Sequence, residues 1–194
     1  CNSLFAGSSS MPTLLLGTTT IECIYGFFAN SSTELTLNAS SSTIRCTNFS
    51  SGANQHYNDV ESSYMITINY GSITNAVCED FTGNNDSIIN LHFTSNSSFY
   101  GDSNFIKNGV FPDEINFAGN YNHVQNGTFT GSANIAWIND FDTINFITAG
   151  SIITLTGTLN INNLFATNGS CSGLISIKAQ TAGSQATINK TGGN

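Results

Sequence analysis

The chain has 194 residues and a formal net charge of −8, and only 8 % of its residues are charged, against roughly 25 % in an ordinary soluble domain. Its cations, Arg45, Lys107, Lys178 and Lys190, are scattered and make no phosphate-binding stripe, which argues against nucleic acid and anionic lipid as partners. Its apolar runs are only a few residues long, so no stretch spans a bilayer as a helix.

Such a length holds one domain with a real core. The missing charge is replaced by Ser, Thr, Asn and Gly, yet 14 Phe and 6 Tyr leave ample apolar surface to bury. That argues against disorder. Plentiful β-branched and aromatic residues with just 2 Pro favour strands. No positively charged leader with an apolar stretch opens the chain, so any secretory signal is expected to lie upstream.

In chain order, residues 1–20 are turn-rich around Leu14-Leu15-Leu16. Strands are then predicted at Ile21 to Phe28, Glu34 to Leu37, Ile44 to Phe49 and Tyr64 to Tyr70. In the last of these, alternation places Tyr64, Ile66, Ile68 and Tyr70 on one face. A family of similar strands follows: Ile89 to Phe93, Ile115 to Phe117, Ile144 to Phe146 and Ile175 to Ile177. Counted from Ile66, their spacings are 23, 26, 29 and 31 residues. Strands recurring at 20–30 residues between Gly/Asn turns are the mark of a solenoid. Asn126-Gly127, Asn168-Gly169 and Gly101-Asp102 supply corners. No segment carries a capped helical pattern.

The expected fold is therefore all-β: a parallel β-helix (β-solenoid) with two or three short strands per rung and essentially no helix. An antiparallel sandwich stays open as the alternative. Residues 1–194 read as a single β-solenoid segment. Neither end shows a cap, so the segment is expected to be a slice of a longer chain whose neighbouring rungs are its first partners.

Cys1, Cys23 and Cys46 are separated by 22 and 23 residues. Residues one rung apart lie about 4.8 Å from each other, within disulfide range. Cys23 and Cys46 are thus a candidate bridge; buried thiols that simply pack are the alternative. Without a C-x-x-C pair, neither zinc nor a redox motif is indicated.

Among groups that could carry chemistry, Asp140 and Asp142 stand out. In a strand, positions i and i+2 point to one side, and paired carboxylates serve glycoside hydrolysis. A solvated acidic turn is the plainer account, and cations that would hold an acidic sugar are scarce. His56, His92 and His123 show no ligand spacing. His92 is expected outside, and His123 falls in a turn-like run. Calcium could be held at Asn84-Asn85-Asp86 or Asp80, where oxygen ligands are abundant, though the charge at each turn is low. Asn90, Asn116 and Asn145 are expected to form an outward ladder of stacked amides. Tyr57, Tyr100, Tyr121 and Trp137 are candidates for stacking on sugars; Trp137 falls in Ile135-Ala136-Trp137-Ile138 and fits core or surface.

The run from Phe146 through Gly157, then Leu164 to Cys171, then Leu174 to Ile188 resembles a pattern in very large secreted surface proteins of Bacteroidota. These include gliding-motility adhesins exported by the type IX secretion machinery. The resemblance covers about a quarter of the chain, and its motifs are turns and strands with no catalytic residue to transfer. It implies an extracellular β-helix at the cell surface, acting as a stalk or adhesive filament. The function expected from all of this is structural and adhesive, with surface glycans or solid surfaces as partners. A carbohydrate-active β-helix enzyme using Asp140 and Asp142, or a glycan-binding module, is the alternative.

Overall fold

Ile115, Asn116 and Phe117 alternate in, out and in, and both apolar side chains are fully buried. Repetition of that alternation builds the whole core. The computed structural model describes residues 3–6, 13–15, 20–29, 36–38, 43–51 and 56–192. In chain order the strands are β1 (Ser3–Ala6), β2 (Thr13–Leu15), β3 (Thr20–Ala29), β4 (Thr36–Asn38), β5 (Thr43–Ser51), β6 (His56–Asn69), β7 (Ser72–Asn84) and β8 (Ser87–Ile88). They continue as β9 (Leu91–Tyr100), β10 (Phe105–Phe111), β11 (Ile115–Ala118), β12 (Asn122–Phe129), β13 (Ala133–Phe146), β14 (Ile152–Thr167), β15 (Ser176–Ala179) and β16 (Thr187–Lys190).

Every pairing between these strands is parallel. Parallel neighbours need a crossover connection, so the chain winds as a β-solenoid, and the antiparallel sandwich is excluded. Fourteen strands form one continuous sheet, while β2 and β4 pair separately. Strands bend around corners. The start of β10 lies on β8, and its later residues Gly109 and Val110 lie on β9.

The repeat is shorter than the spacing of similar strands suggested. Partners through the middle of the coil are 18 residues apart, as in Asn108 and Asn126, or 15 apart, as in Asn75 and Asn90. The offset is 23 at the N-terminal end, as in Cys23 and Cys46, and past β13 it lengthens again, to 20 between Asp140 and Asn160, 24 between Thr156 and Gln180 and 29 between Asn160 and Asn189. The look-alike strands do not stack as one series: Ile66 leads through Phe81 and Phe99 to Phe117, and Ile115 through Ala133 and Ile153 to Ile177, but the strands at Ile89 and Ile144 fall elsewhere. Ile115 lies against Ala133, whereas Ile144 lies between Gly127 and Phe165. Ile89 and Asn90 form a bend, and Asn90 is left-handed at φ 61°. Similar local sequence reflects the shared demand for an apolar-polar-apolar triplet on every side of the coil.

Inward columns run the length of the coil. One is Tyr57, Ile73, Ile88, Ile106, Val124, Phe141 and Ile161, all buried. Phe81, Phe99 and Phe117 form another, with stacked rings at 5.2 and 4.6 Å. Phe93, Phe111 and Phe129 follow at 5.9 and 4.6 Å. Rung spacing of about 4.8 Å brings aromatic rings to stacking distance by itself. Gly109 and Gly127 make room for these rings: a Cβ at Gly109 would come 2.5 Å from Phe111 Cζ, and one at Gly127 2.8 Å from Phe141 Cε1.

One inward column is polar. Asp86, Asn104, Asn122 and Asn139 are buried at the corner before each rung's first side. The side-chain oxygens of Asn104 and Asn122 accept from the backbone N–H of Asp86 and Asn104, at 2.9 and 3.0 Å. The Nδ2 atoms of Asn104, Asn122 and Asn139 donate to the carbonyls of Gly83, Gly101 and Gly119, at 2.9, 2.8 and 3.0 Å. Corner backbone that the sheet ladder cannot reach is satisfied this way.

Tyr64 and Tyr70 do not join Ile66 and Ile68 on the inner face. A register shift between Glu61 and Met65 turns Tyr64 outward, and Tyr70 is left-handed at φ 55°. Cys23 and Cys46 are direct partners across β3 and β5. That is the juxtaposition the spacing suggested; the side chain of Cys23, like the whole of Cys1, lies outside the described residues. Cys171 is exposed in the turn closed by Ser170 and Gly173.

Candidate binding face

Phe141 is fully buried, so alternation sends Asp140 and Asp142 outward together. They sit on the side of the coil formed by β12, the middle of β13 and β14. Register sets His123 of β12 beneath Asp140, and Asn160 of β14 above it. Asn160 Nδ2 donates to Asp140 Oδ1 at 2.6 Å, and Asn162 Nδ2 donates to Asp142 Oδ1 at 3.2 Å. His123 Nε2 lies 3.1 Å from Asp142 Oδ2. Asn189 extends the row, donating to Asn160 Oδ1 at 3.1 Å. On the other flank, the Phe105 ring lies 5.6 Å from the His123 ring.

Partial burial works to raise the Asp142 carboxyl. The hydrogen bonds from His123 and Asn162, with the charge of His123, outweigh it and hold the group below the ordinary carboxylate range. Both carboxylates are thus acceptors in a hydrogen-bonded surface row. That suits the recognition of hydroxyl groups at least as well as proton transfer.

The sequence placed the two carboxylates on one side but left His123 in a turn. His123 lies in β12 and meets Asp142 because the rung period brings residues 19 apart to a diagonal contact. The rung period, 17 residues between β12 and β13, was the signal that would have found it. His92 is exposed, as alternation implied. Among the described residues, no group of three or more His, Cys, Asp or Glu could hold a metal ion. Asp86, a candidate calcium ligand, turns into the coil, and Asp80 Oδ1 accepts from Ser98 N at 2.7 Å.

The expected amide ladder exists with different members. Asn75, Asn90, Asn108 and Asn126 are linked by Nδ2 to Oδ1 bonds of 2.8, 2.8 and 3.0 Å. Asn116 belongs to a second row, accepting from Asn134 at 3.1 Å and donating to the Tyr100 hydroxyl at 3.2 Å. Asn145 lies between Thr128 and Ala166. Three asparagines in look-alike strands therefore fall on three different columns.

The four candidate aromatics separate as well. Tyr57 is core, edge-on to Phe49 at 4.7 Å. Tyr100 is exposed, but its hydroxyl is held by Asn116 on another side of the coil. Tyr121 and Trp137 are 65 % and 56 % exposed and flank the carboxylate face, with Ile138 beside them. Tyr121 N donates to Ile138 O at 2.6 Å across the rungs. Both aromatics are left-handed, at φ 59° and 65°. For bulky L-residues that conformation costs about 1–2 kcal/mol each, and such strain concentrates at functional positions.

The chain matches no protein-family model, no curated protein and no solved structure.

Proposed function

We propose that the chain is a structural and adhesive segment of an extracellular surface protein, a stiff β-solenoid that presents a glycan-contacting corner. The observation that carries this reading is the pairing of exposed, strained aromatics at Tyr121 and Trp137 with the hydrogen-bonded row of His123, Asp140, Asp142 and Asn160. Stiffness comes from the unbroken core columns. The resemblance of Phe146 to Ile188 to Bacteroidota surface proteins supports a cell-surface place and export by type IX machinery, with further rungs of a longer parent chain above and below.

Beads coated with residues 1–194 test it. They are expected to adhere to polysaccharide-covered surfaces, where uncoated beads do not. Equal adhesion by both would remove the adhesive half of the proposal.

The contact between His123 and Asp142 favours a second reading, a carbohydrate-active enzyme with Asp140 and Asp142 as its carboxylates. Incubation with neutral and acidic polysaccharides separates the two. New reducing ends that vanish in Asp140→Asn and Asp142→Asn would establish the enzyme; binding without cleavage supports the adhesive segment.

A further inference from the structure

Trp137 stands in a column that its neighbours fill with glycine. It pairs with Gly157, and Gly119 lies two residues past the Phe117–Ile135 pair just as Trp137 does. Gly119 and Gly157 have φ of 143° and 115°, a region that side chains avoid. A Cβ at Gly157 would come 2.6 Å from the Trp137 carbonyl oxygen. The backbone at this corner therefore calls for glycine, and this rung carries the largest side chain, turned to solvent. Beneath it, Tyr121 takes the left-handed position that Tyr70, Asn85 and Ser103 hold on other rungs, and it alone of these sets an exposed ring beside Trp137. Neither ring is needed to close the core. A position that breaks the local rule without serving the fold points to a function outside it.

We propose that Tyr121, Trp137 and Ile138, with His123, Asp140 and Asn160 alongside, form a binding subsite for a neutral polysaccharide chain. The proposal rests on the adhesive reading above and names its ligand class. A pyranose ring has a C–H face and a rim of hydroxyls. The aromatic corner offers apolar surface one rung apart for the first, and the row of amides and carboxylates offers donors and acceptors for the second. Charge selects among sugars. Asp140 and Asp142 lie on this face of a chain with net charge −8, so polyanionic glycans are repelled.

Trp137 is the one tryptophan of the chain, so its emission reports this corner alone. Residues 1–194 are titrated with a soluble neutral β-glucan, a galactomannan and polygalacturonate, and retention in gels containing each polymer is compared for wild type, Trp137→Gly and Tyr121→Ser. Glycine and serine stand in the same two columns on other rungs, so both variants are expected to keep the wild-type circular dichroism and an equal or higher Tm. The expected result is a saturable emission shift with a neutral polymer and a roughly tenfold to hundredfold weaker retention in Trp137→Gly. Retention unchanged in both variants would overturn the subsite and leave the adhesive reading standing. Retention by polygalacturonate alone would overturn the ligand class, and retention by none of the polymers would count against both proposals.

Discussion

Asp86 occupies the position that asparagine holds on the next three rungs. Asn104, Asn122 and Asn139 each donate an amide proton to a carbonyl of the rung below. Asp86 keeps the acceptor bond of the column, its Oδ1 accepting from Gly71 N at 2.8 Å as Asn104 Oδ1 accepts from Asp86 N, but it has no amide to donate, and its Oδ2 is buried without a partner. That oxygen and the Ile68 carbonyl oxygen, the acceptor an asparagine would use, both border the space where a Cβ on Gly83 would sit, 2.2 and 2.1 Å from it. Burial pushes the carboxyl up to about 7, and the Gly71 bond only partly opposes it. Between about pH 4 and pH 7 the folded chain keeps a proton that the unfolded chain releases, so this contribution to stability is full below the unfolded value and is lost as pH rises to 7. Asp86→Asn is expected to remove that dependence. It should leave stability at pH 4 nearly unchanged and raise it by roughly 2–4 kcal/mol at pH 8. Urea midpoints for both proteins across pH 4–8 check this; parallel profiles would show that Asp86 is ionised in the fold.

At the scale of elements, the corner column works as a chain of bonds through the coil. Asn122 accepts from Asn104 N, donates to Gly101 O and donates to Asn139 Oδ1 at 3.0 Å. Asn122→Ala leaves the Gly101 carbonyl and the Asn104 N–H buried and unsatisfied. A loss of about 2–4 kcal/mol in unfolding free energy is expected. The exposed row gives the contrast. Asn108→Ala breaks two amide bonds, to Asn90 and Asn126, but water can replace them, so a loss nearer 1 kcal/mol is expected. Equal losses at the two positions, measured by denaturant unfolding, would mean that burial does not govern these ladders.

On the scale of the whole molecule, the core columns open at the C-terminal rungs. Phe165, Ile175, Ile177 and Ala186 are only partly buried, and Leu174 is 73 % exposed. Here β15 and β16 each pair with β14, leaving backbone available for another parallel strand. Expressed by itself, the 20.6 kDa segment is expected to associate and to run above that mass in size-exclusion chromatography with light scattering. Leu174→Lys should raise the monomer fraction. A clean wild-type monomer would count against an open end as a joining surface. Charge contributes little to the shape. One exposed cross-rung cluster, Arg45 with Glu61 at 2.6 Å and Glu22 at 3.9 Å, is worth little in water.

By itself the sequence determined the class of fold and the inward set of many strands. Apolar-polar-apolar triplets such as Ile115-Asn116-Phe117 admit only a half-buried strand, and their recurrence with Gly and Asn corners admits a coil. It also set Asp140 and Asp142 side by side, because period 2 is a local property. Column membership was decided by tertiary structure alone. A full turn takes between 15 and 29 residues, so similarity between strands does not tell which residue lies above which. For that reason Asn90, Asn116 and Asn145 separated, His123 arrived at Asp142, and Tyr57 went inside while Trp137 stayed out. The same holds for Asp86 and Trp137. Each departs from its column, to Asp among asparagines and to Trp among glycines, and a departure becomes visible only when the stacking of rungs has defined the column.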